Sequence, residues 1–240
     1  MANQERVSEV FVELADTLVD VFDVVEFLTT LAHRSAELLN ATEAGVVLAD
    51  ETGTLRSVAS SSETARLLDL FELQNQEGPC LDCFRSGIPV VNASLDSSGR
   101  WPNFSREAQR LGFHFAHAVP MRLRERIIGA VNIFTSEKSR LDESDVALAG
   151  ALADIATIAL LQERSIREAR VLNEQLQGAL HSRVVIEQAK GMLAERHQIE
   201  LDESFALLRS YARRNNQKLS DVAIALLEGT LPSDSLIPPA

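Results

Sequence analysis

Residues 176–227 read LQGALHSRVVIEQAKGMLAERHQIELDESFALLRSYARRNNQKLSDVAIALL, and the spacing of their apolar side chains predicts three short helices. The first covers about residues 179–197. Asp202 is expected to cap the second, with Ser204 and Phe205 in its first turn and Leu201 before it as a hydrophobic staple. That helix buries Phe205, Leu208 and Ala212. The third starts at or near Ser220 and buries Val222, Ala223, Leu226 and Leu227. Gly191 costs about 1 kcal/mol against Ala in a helix interior, which predicts close approach of another helix, and Ala189 beside it fits. Residues 232–240 are expected to fray.

Charge sets this segment apart. The chain of 240 residues carries a formal net charge of -12. Residues 1–177 hold 16 Lys/Arg against 27 Asp/Glu, whereas residues 178–230 hold seven of each, and no acid lies between Ser204 and Ser220. An acidic body repels nucleic acid and anionic membrane over most of its surface, so a polyanion is steered to the C-terminal segment. Lys190 follows Arg183 by seven residues and shares its helix face. Arg209 and Arg213 are four apart, Arg214 is adjacent, and Asn215, Asn216, Gln217 and Lys218 follow. Guanidinium groups offer planar donors to phosphates and base edges, Asn and Gln amides read donors and acceptors, and Tyr211 offers a ring on which an unpaired base can stack. The competing reading is a solvated basic helix end, favoured at a C-terminus by the helix dipole.

Upstream, Ile166, Ala169, Leu172 (or Val171), Leu176 and Leu180 (or Ala179) recur near the 3.5-residue period, with mixed charges between them. This predicts a short coiled coil, within a helical stretch over 142–183. The competing reading is one amphipathic helix packed on its own domain. Residues 1–160 change period repeatedly. Val7, Val10, Phe11, Leu14 and Leu18 form a helical stripe. Asp23 and Glu26 have capping-box spacing ahead of a second helix. Strands are expected at 44–50, 55–60, 88–92, 113–123 and 127–134, and helices at 63–73, from Pro79 to near Gly87, and at 104–111. The order defines an α+β domain, an antiparallel sheet with flanking helices.

Three features of this front domain bear on chemistry. Cys80 and Cys83 stand on one face of a short helix, just after a helix start that can lower a thiol pKa, so redox sensing is one reading and two small buried hydrophobes the other. Two cysteines are too few for a disulfide-stapled fold or a structural zinc site. His114 and His117, three apart on a strand, point to opposite faces and cannot grip one metal. His117 shares a face with Phe115, and these two with Trp101 are the candidate lining of a ligand pocket; a core histidine and a packed Trp101 are the alternatives. The sequence requires no cofactor and no metal. No apolar run approaches the roughly 18 residues that span a bilayer, and the first residues lack a signal-peptide pattern, so a cytoplasmic protein is expected.

Residues 176–227 resemble an ANTAR domain, the three-helix RNA-binding module of bacterial transcription antiterminators. The matching elements are Ser182-Arg183, Ile186-Glu187-Gln188-Ala189-Lys190-Gly191, Asp202-Glu203-Ser204-Phe205, Leu208-Arg209 and Lys218-Leu219-Ser220-Asp221-Val222-Ala223. Residues 20–160 resemble a GAF domain in layout, and Glu77-Gly78-Pro79-Cys80 resembles GAF domains paired with ANTAR. The resemblance is to a GAF–ANTAR antitermination regulator of the actinobacterial kind. It implies a GAF-like sensory and dimerisation domain over 1–160, a helical linker over 142–183, an ANTAR module over 176–231 and a flexible tail over 232–240. It also implies a homodimer that binds paired stem-loops with six-base loops in leader RNA and prevents a terminator from forming. Loop bases are already unstacked and readable, and two modules raise the effective concentration for paired loops. The residues expected to touch RNA are Arg183, Lys190, Arg209, Arg213, Arg214, Asn216 and Lys218. GAF domains often hold a small molecule between sheet and loops, but no ligand is named here and the cyclic-nucleotide pattern is absent. The alternatives are a DNA-binding helix-turn-helix regulator, or a thiol enzyme or sensor using Cys80 and Cys83; the enzyme reading leaves the C-terminal module unexplained.

Overall fold

The computed structural model describes residues 2–16, 23–96, 99–136 and 140–237. They form two compact units, Met1–Arg164 and Ser165–Ala240. In the first, helices α1 (Ala2–Asp16) and α2 (Val24–Leu38) precede the hairpin of β1 (Glu43–Ala49) and β2 (Leu55–Ser60). Helices α3 (Glu63–Asn75) and α4 (Pro79–Ser86), strand β3 (Val90–Ser94), helix α5 (Pro102–Arg110) and the hairpin of β4 (Phe115–Leu123) and β5 (Arg126–Thr135) follow. Helix α6 (Glu143–His197) crosses the boundary between the units; α7 (Leu201–Arg214), α8 (Leu219–Leu227) and a 3-10 turn (Ser233–Leu236) complete the second. The sheet is antiparallel with order β2-β1-β5-β4-β3.

Alternation along the strands divides the front domain into two cores. Val131 and Ile133 of β5 face α1, α2 and α6, where Leu14, Phe27, Leu31, Leu152 and Ala156 bury themselves. Ala130 and Phe134 face the other side, against α3, α4 and α5. Val10 and Leu14 of the expected N-terminal stripe are buried; Leu18 lies outside the described residues. Asp23 caps α2, its Oδ1 accepting from the amides of Val25 (2.8 Å) and Glu26 (3.1 Å). The space between the sheet and α3–α5 is filled by Trp101, Phe104, Phe113 and Phe134, with ring centroids 5.4–6.4 Å apart.

Several local expectations are corrected. β3 starts at Val90 rather than at Ile88, which is exposed; Asn92 takes φ 50° and the register with β4 shifts there. α6 contains an 18-residue window of mean hydropathy 1.7, apolar enough by length and composition to cross a membrane, contrary to the expectation that no such run exists. Its apolarity has a local reason: Ala149, Leu152, Ala153, Ala156 and Ala159 pack into the front-domain core. Gly178 does not interrupt α6. At Gly191 a Cβ would meet nothing within 4 Å, so among the described residues no helix approaches there. α7 begins one residue before Asp202, and Glu200 occupies its N-cap without a side-chain bond. α8 begins at Leu219, beside Ser220 as expected, with Lys218 at the N-cap. Both caps are set by extended backbone (ψ 153° and 141°) that turns the chain into the helix without a side-chain acceptor. The frayed-tail expectation fails over residues 233–236, where Leu236 is fully buried against the C-terminal core.

The Glu77-Gly78-Pro79-Cys80 motif is a joint between three helices. Glu77 caps α5, its Oε1 accepting from the amides of Asn103 and Phe104. Pro79 occupies the first turn of α4, where its missing N–H costs nothing. Gly78 has φ 152°, and a Cβ there would collide with the Glu72 carboxyl. Gly78→Ala is therefore expected to destabilise the front domain by about 1–3 kcal/mol. Urea unfolding followed by Trp101 emission measures this directly, because Trp101 is the only tryptophan and is buried in that domain; an unchanged midpoint would contradict it.

Candidate nucleic-acid interface

The C-terminal core aligns Val185, Ala189 and Leu193 of α6 with Leu208 and Ala212 of α7 and Val222, Ala223 and Leu226 of α8. Each buried residue fixes where its neighbours point. Arg209 and Arg213 follow Leu208 and Ala212 by one position, so with Phe205 they form an i, i+4, i+8 strip on α7. Lys190 follows Ala189 in the same way. Its Nζ lies 5.5 Å from the centre of the Phe205 ring, a cation–π contact. Lys190, Phe205, Arg209 and Arg213 are thus contiguous. Arg183 lies on the same side of α6 as Lys190, about 10 Å along the axis.

The strip continues into the α7–α8 turn, where residues 213–218 are all exposed. α7 ends in a Schellman motif: the amide of Gln217 donates to the Ala212 carbonyl (2.9 Å) and that of Asn216 to the Arg213 carbonyl (3.3 Å). Asn216 occupies the left-handed position (φ 52°), which Asn tolerates better than most residues. The turn holds Asn216 and Lys218 beside Arg213 and Arg214 in sequence and leaves their side chains outward.

These cations are in two states. Among the described residues, Arg183, Arg209, Arg213, Arg214 and Lys218 have no carboxylate within salt-bridge distance, whereas Lys190 pairs with Glu187 at 2.9 Å and its side chain is only 15% exposed. Lys190 is partly a packing residue, a role that its spacing from Arg183 did not disclose. Tyr211 lies roughly 200° around α7 from Arg209 and packs against the C-terminal core, so the structure does not bring it to the strip.

The front-domain candidates are not brought together either. His117 and Phe115 face the α1–α2–α6 side, since their β5 partners are Ile133 and Thr135. Trp101 is buried on the opposite side, its Nε1 donating to Asp82 (3.0 Å) with Arg100 over the ring. His117 is a core histidine: Nδ1 accepts from the Asn92 amide (2.9 Å), and burial lowers its pKa to about 4. His114 lies instead against Asp96, and among the described residues no three metal-ligating side chains cluster. A cleft of about 580 Å³ opens elsewhere, between Asp50, Glu51, Phe84, Ile127, Leu160 and Arg164, without Phe115, His117 or Trp101. Cys80 and Cys83 are unpaired and buried. Burial raises the Cys80 thiol pKa well above its ordinary value and pushes Cys83 up to about 12. The expected lowering by the helix start is therefore overturned, and both thiols are protonated and unreactive at neutral pH.

Fold and face define a two-part protein, a sheet-and-helix front domain followed by a small helical module that presents a cationic strip. The GAF domain family matches residues 23–161 and the ANTAR domain family residues 174–227. The chain belongs to the GAF family and, with its ANTAR domain, is a GAF–ANTAR regulator. Its front domain shares its fold with solved structures. The GAF domain of a phosphoenolpyruvate-protein phosphotransferase from Coxiella burnetii aligns at 15% identity and TM-score 0.54 over 68% of this chain and 98% of that one. Free methionine-R-sulfoxide reductase from Neisseria meningitidis aligns at 20% identity and TM-score 0.52 over 67% and 91%. No curated protein sequence matches. ANTAR and GAF are regulatory domains, and an ANTAR domain indicates RNA binding.

Proposed function

We propose that this chain is a cytoplasmic, non-enzymatic transcription antiterminator that acts as a homodimer. Each ANTAR module binds one of two adjacent six-base-loop stem-loops in a leader RNA, and occupancy prevents the overlapping terminator from forming. The observation that carries this reading is the Lys190–Phe205–Arg209–Arg213 strip, with Arg183 above it and Arg214, Asn216 and Lys218 below. It supplies phosphate donors on one side of the module without carboxylates to compete for the arginines. Two copies are joined through α6, where Ile166, Leu172, Leu176, Leu180 and Val184 are each more than half exposed, an unburied apolar seam in a helix of mixed charge. A small-molecule effector of the front domain would act from the Leu160–Arg164 cleft, because the aromatic cluster fills the space between sheet and α3–α5.

Gel-shift titration of the full chain with a double stem-loop RNA tests this. With about four phosphates neutralised per module, log affinity should fall against log salt with a slope of about -3 per site. Arg213→Ala should weaken binding about tenfold without altering stability, since its side chain is exposed and makes no ion pair among the described residues. Lys190→Ala should weaken both, because the lysine also packs on Phe205. Equal or tighter binding to duplex DNA in competition would favour the helix-turn-helix alternative instead.

A further inference from the structure

Helix α3 carries two acids on its buried face. Ala65, Leu68, Asp69 and Glu72 recur at i, i+3, i+4 and i+7, and all four are inaccessible to solvent. Asp69 lies against β1, so close that a Cβ at Gly45 would overlap its carboxyl, and its Oδ1 accepts from Nδ2 of Asn132 on β5 (2.7 Å). Glu72 reaches the start of α4, where its Oε1 accepts from the amides of Cys80 (2.6 Å) and Leu81 (3.2 Å). The pair thus ties α3 to both the sheet and α4.

The chemistry of this tie is incomplete. Among the described residues Asp69 Oδ2, Glu72 Oε2 and Asn132 Oδ1 are buried without a hydrogen-bond partner, and all three are acceptors when the carboxyls are ionised. The titratable neighbours from α4 are the thiols of Cys80 and Cys83; β1 contributes Gly45 and β5 Asn132, neither of which titrates. No Lys, Arg or His among the described residues bonds or pairs with either carboxyl. Two buried anions without a cation repel each other and forfeit their hydration. A proton on either carboxyl removes one charge and supplies the O–H donor that the orphaned acceptors lack.

We propose that Asp69 and Glu72 form a proton-binding site that locks α3 and α4 onto the sheet, and that loss of the proton loosens this side of the front domain, making proton concentration an input to the regulator. The site is independent of the RNA-binding reading, since no residue of the ANTAR module takes part.

The pH window follows from the groups present. Burial raises both carboxyls, Asp69 to about 7 and Glu72 to about 8, the latter also through repulsion by Asp69. Between the ordinary carboxyl range and those values the folded state holds more protons than the unfolded chain, so stability falls as pH rises and levels off above about 8. Neutral His117 works in the opposite sense below its ordinary 6.5, and the raised thiols act only above 9. Between pH 6.5 and 8 the carboxyl pair therefore governs.

Urea unfolding of the full chain, read by Trp101 emission, tests this. From pH 6.5 to 8 the unfolding constant should rise about tenfold per pH unit, the value for one linked proton. The isosteric pair Asp69→Asn with Glu72→Gln should abolish most of that slope. A midpoint that is constant or rises over this range overturns the proposal, as does a double variant that keeps the native slope. Infrared spectroscopy of the native chain needs no variant: at pH 6.5 it should contain a protonated-carboxyl C=O band that fades by pH 9. Absence of that band equally overturns the site.

Discussion

Simultaneous replacement of Arg209, Arg213 and Lys218 by alanine is expected to lower affinity for a double stem-loop leader RNA by about 10³-fold. Each removes one charge-assisted contact, which is worth about 1.5 kcal/mol or somewhat more than tenfold. The salt dependence should flatten with it, from a log–log slope of about -3 to about -1 per module, because each single-strand phosphate contact accounts for about 0.7. The fold should not suffer. All three side chains are exposed and make no ion pair among the described residues, and such substitutions stay within about 0.5 kcal/mol. Filter binding at three salt concentrations reads both affinity and slope. A triple variant that keeps its slope would place the RNA elsewhere on the module.

The second large effect is expected at the α6 seam. Leu176→Glu together with Leu180→Glu places four glutamates in apposition wherever two seams pair, and the homodimer should dissociate. The consequence for RNA depends on the number of stem-loops. Affinity for a paired stem-loop RNA should fall about 10²-fold as the effective concentration of the second module is lost. Affinity for a single stem-loop should be unchanged. Sedimentation equilibrium with parallel binding titrations separates these outcomes. A monomeric native chain, or a variant weakened equally on single and paired targets, would remove the dimer from the account.

The C-terminal module was the most legible part of the sequence, for a physical reason. Its last two helices, α7 and α8, are short, so burial of Leu208, Ala212, Val222 and Leu226 fixes the period, and the cations fall on the positions left over. The packing of Lys190 on Phe205 was hidden because it joins two helices. The α7 cap was misplaced because Asp202 has cap chemistry, while the backbone turns at Glu200. Gly191 was misread because a helical glycine signals close packing only when something packs there. In the front domain, layout and the Pro79–Gly87 helix were legible from turn residues. Asp69 and Glu72 were overlooked although a signal existed: two acids share the i, i+3, i+4, i+7 stripe with Ala65 and Leu68. Only the tertiary fold reveals that the stripe faces inward along its whole length. The burial of Cys80 and Cys83 likewise depends on α4 lying against the sheet, which the two-residue gap between them does not encode.

The strip on α6 and α7 should capture leader stem-loops and thereby change the fate of a transcript. Transcription in vitro, on a template whose leader carries two six-base-loop stem-loops with the second overlapping an intrinsic terminator, measures it most directly. The full chain should raise read-through in proportion to occupancy of the RNA, and the Arg209, Arg213 and Lys218 triple alanine variant should leave termination at its protein-free level. Unchanged termination at concentrations where the native chain saturates the leader, or full read-through with the triple variant, would contradict it.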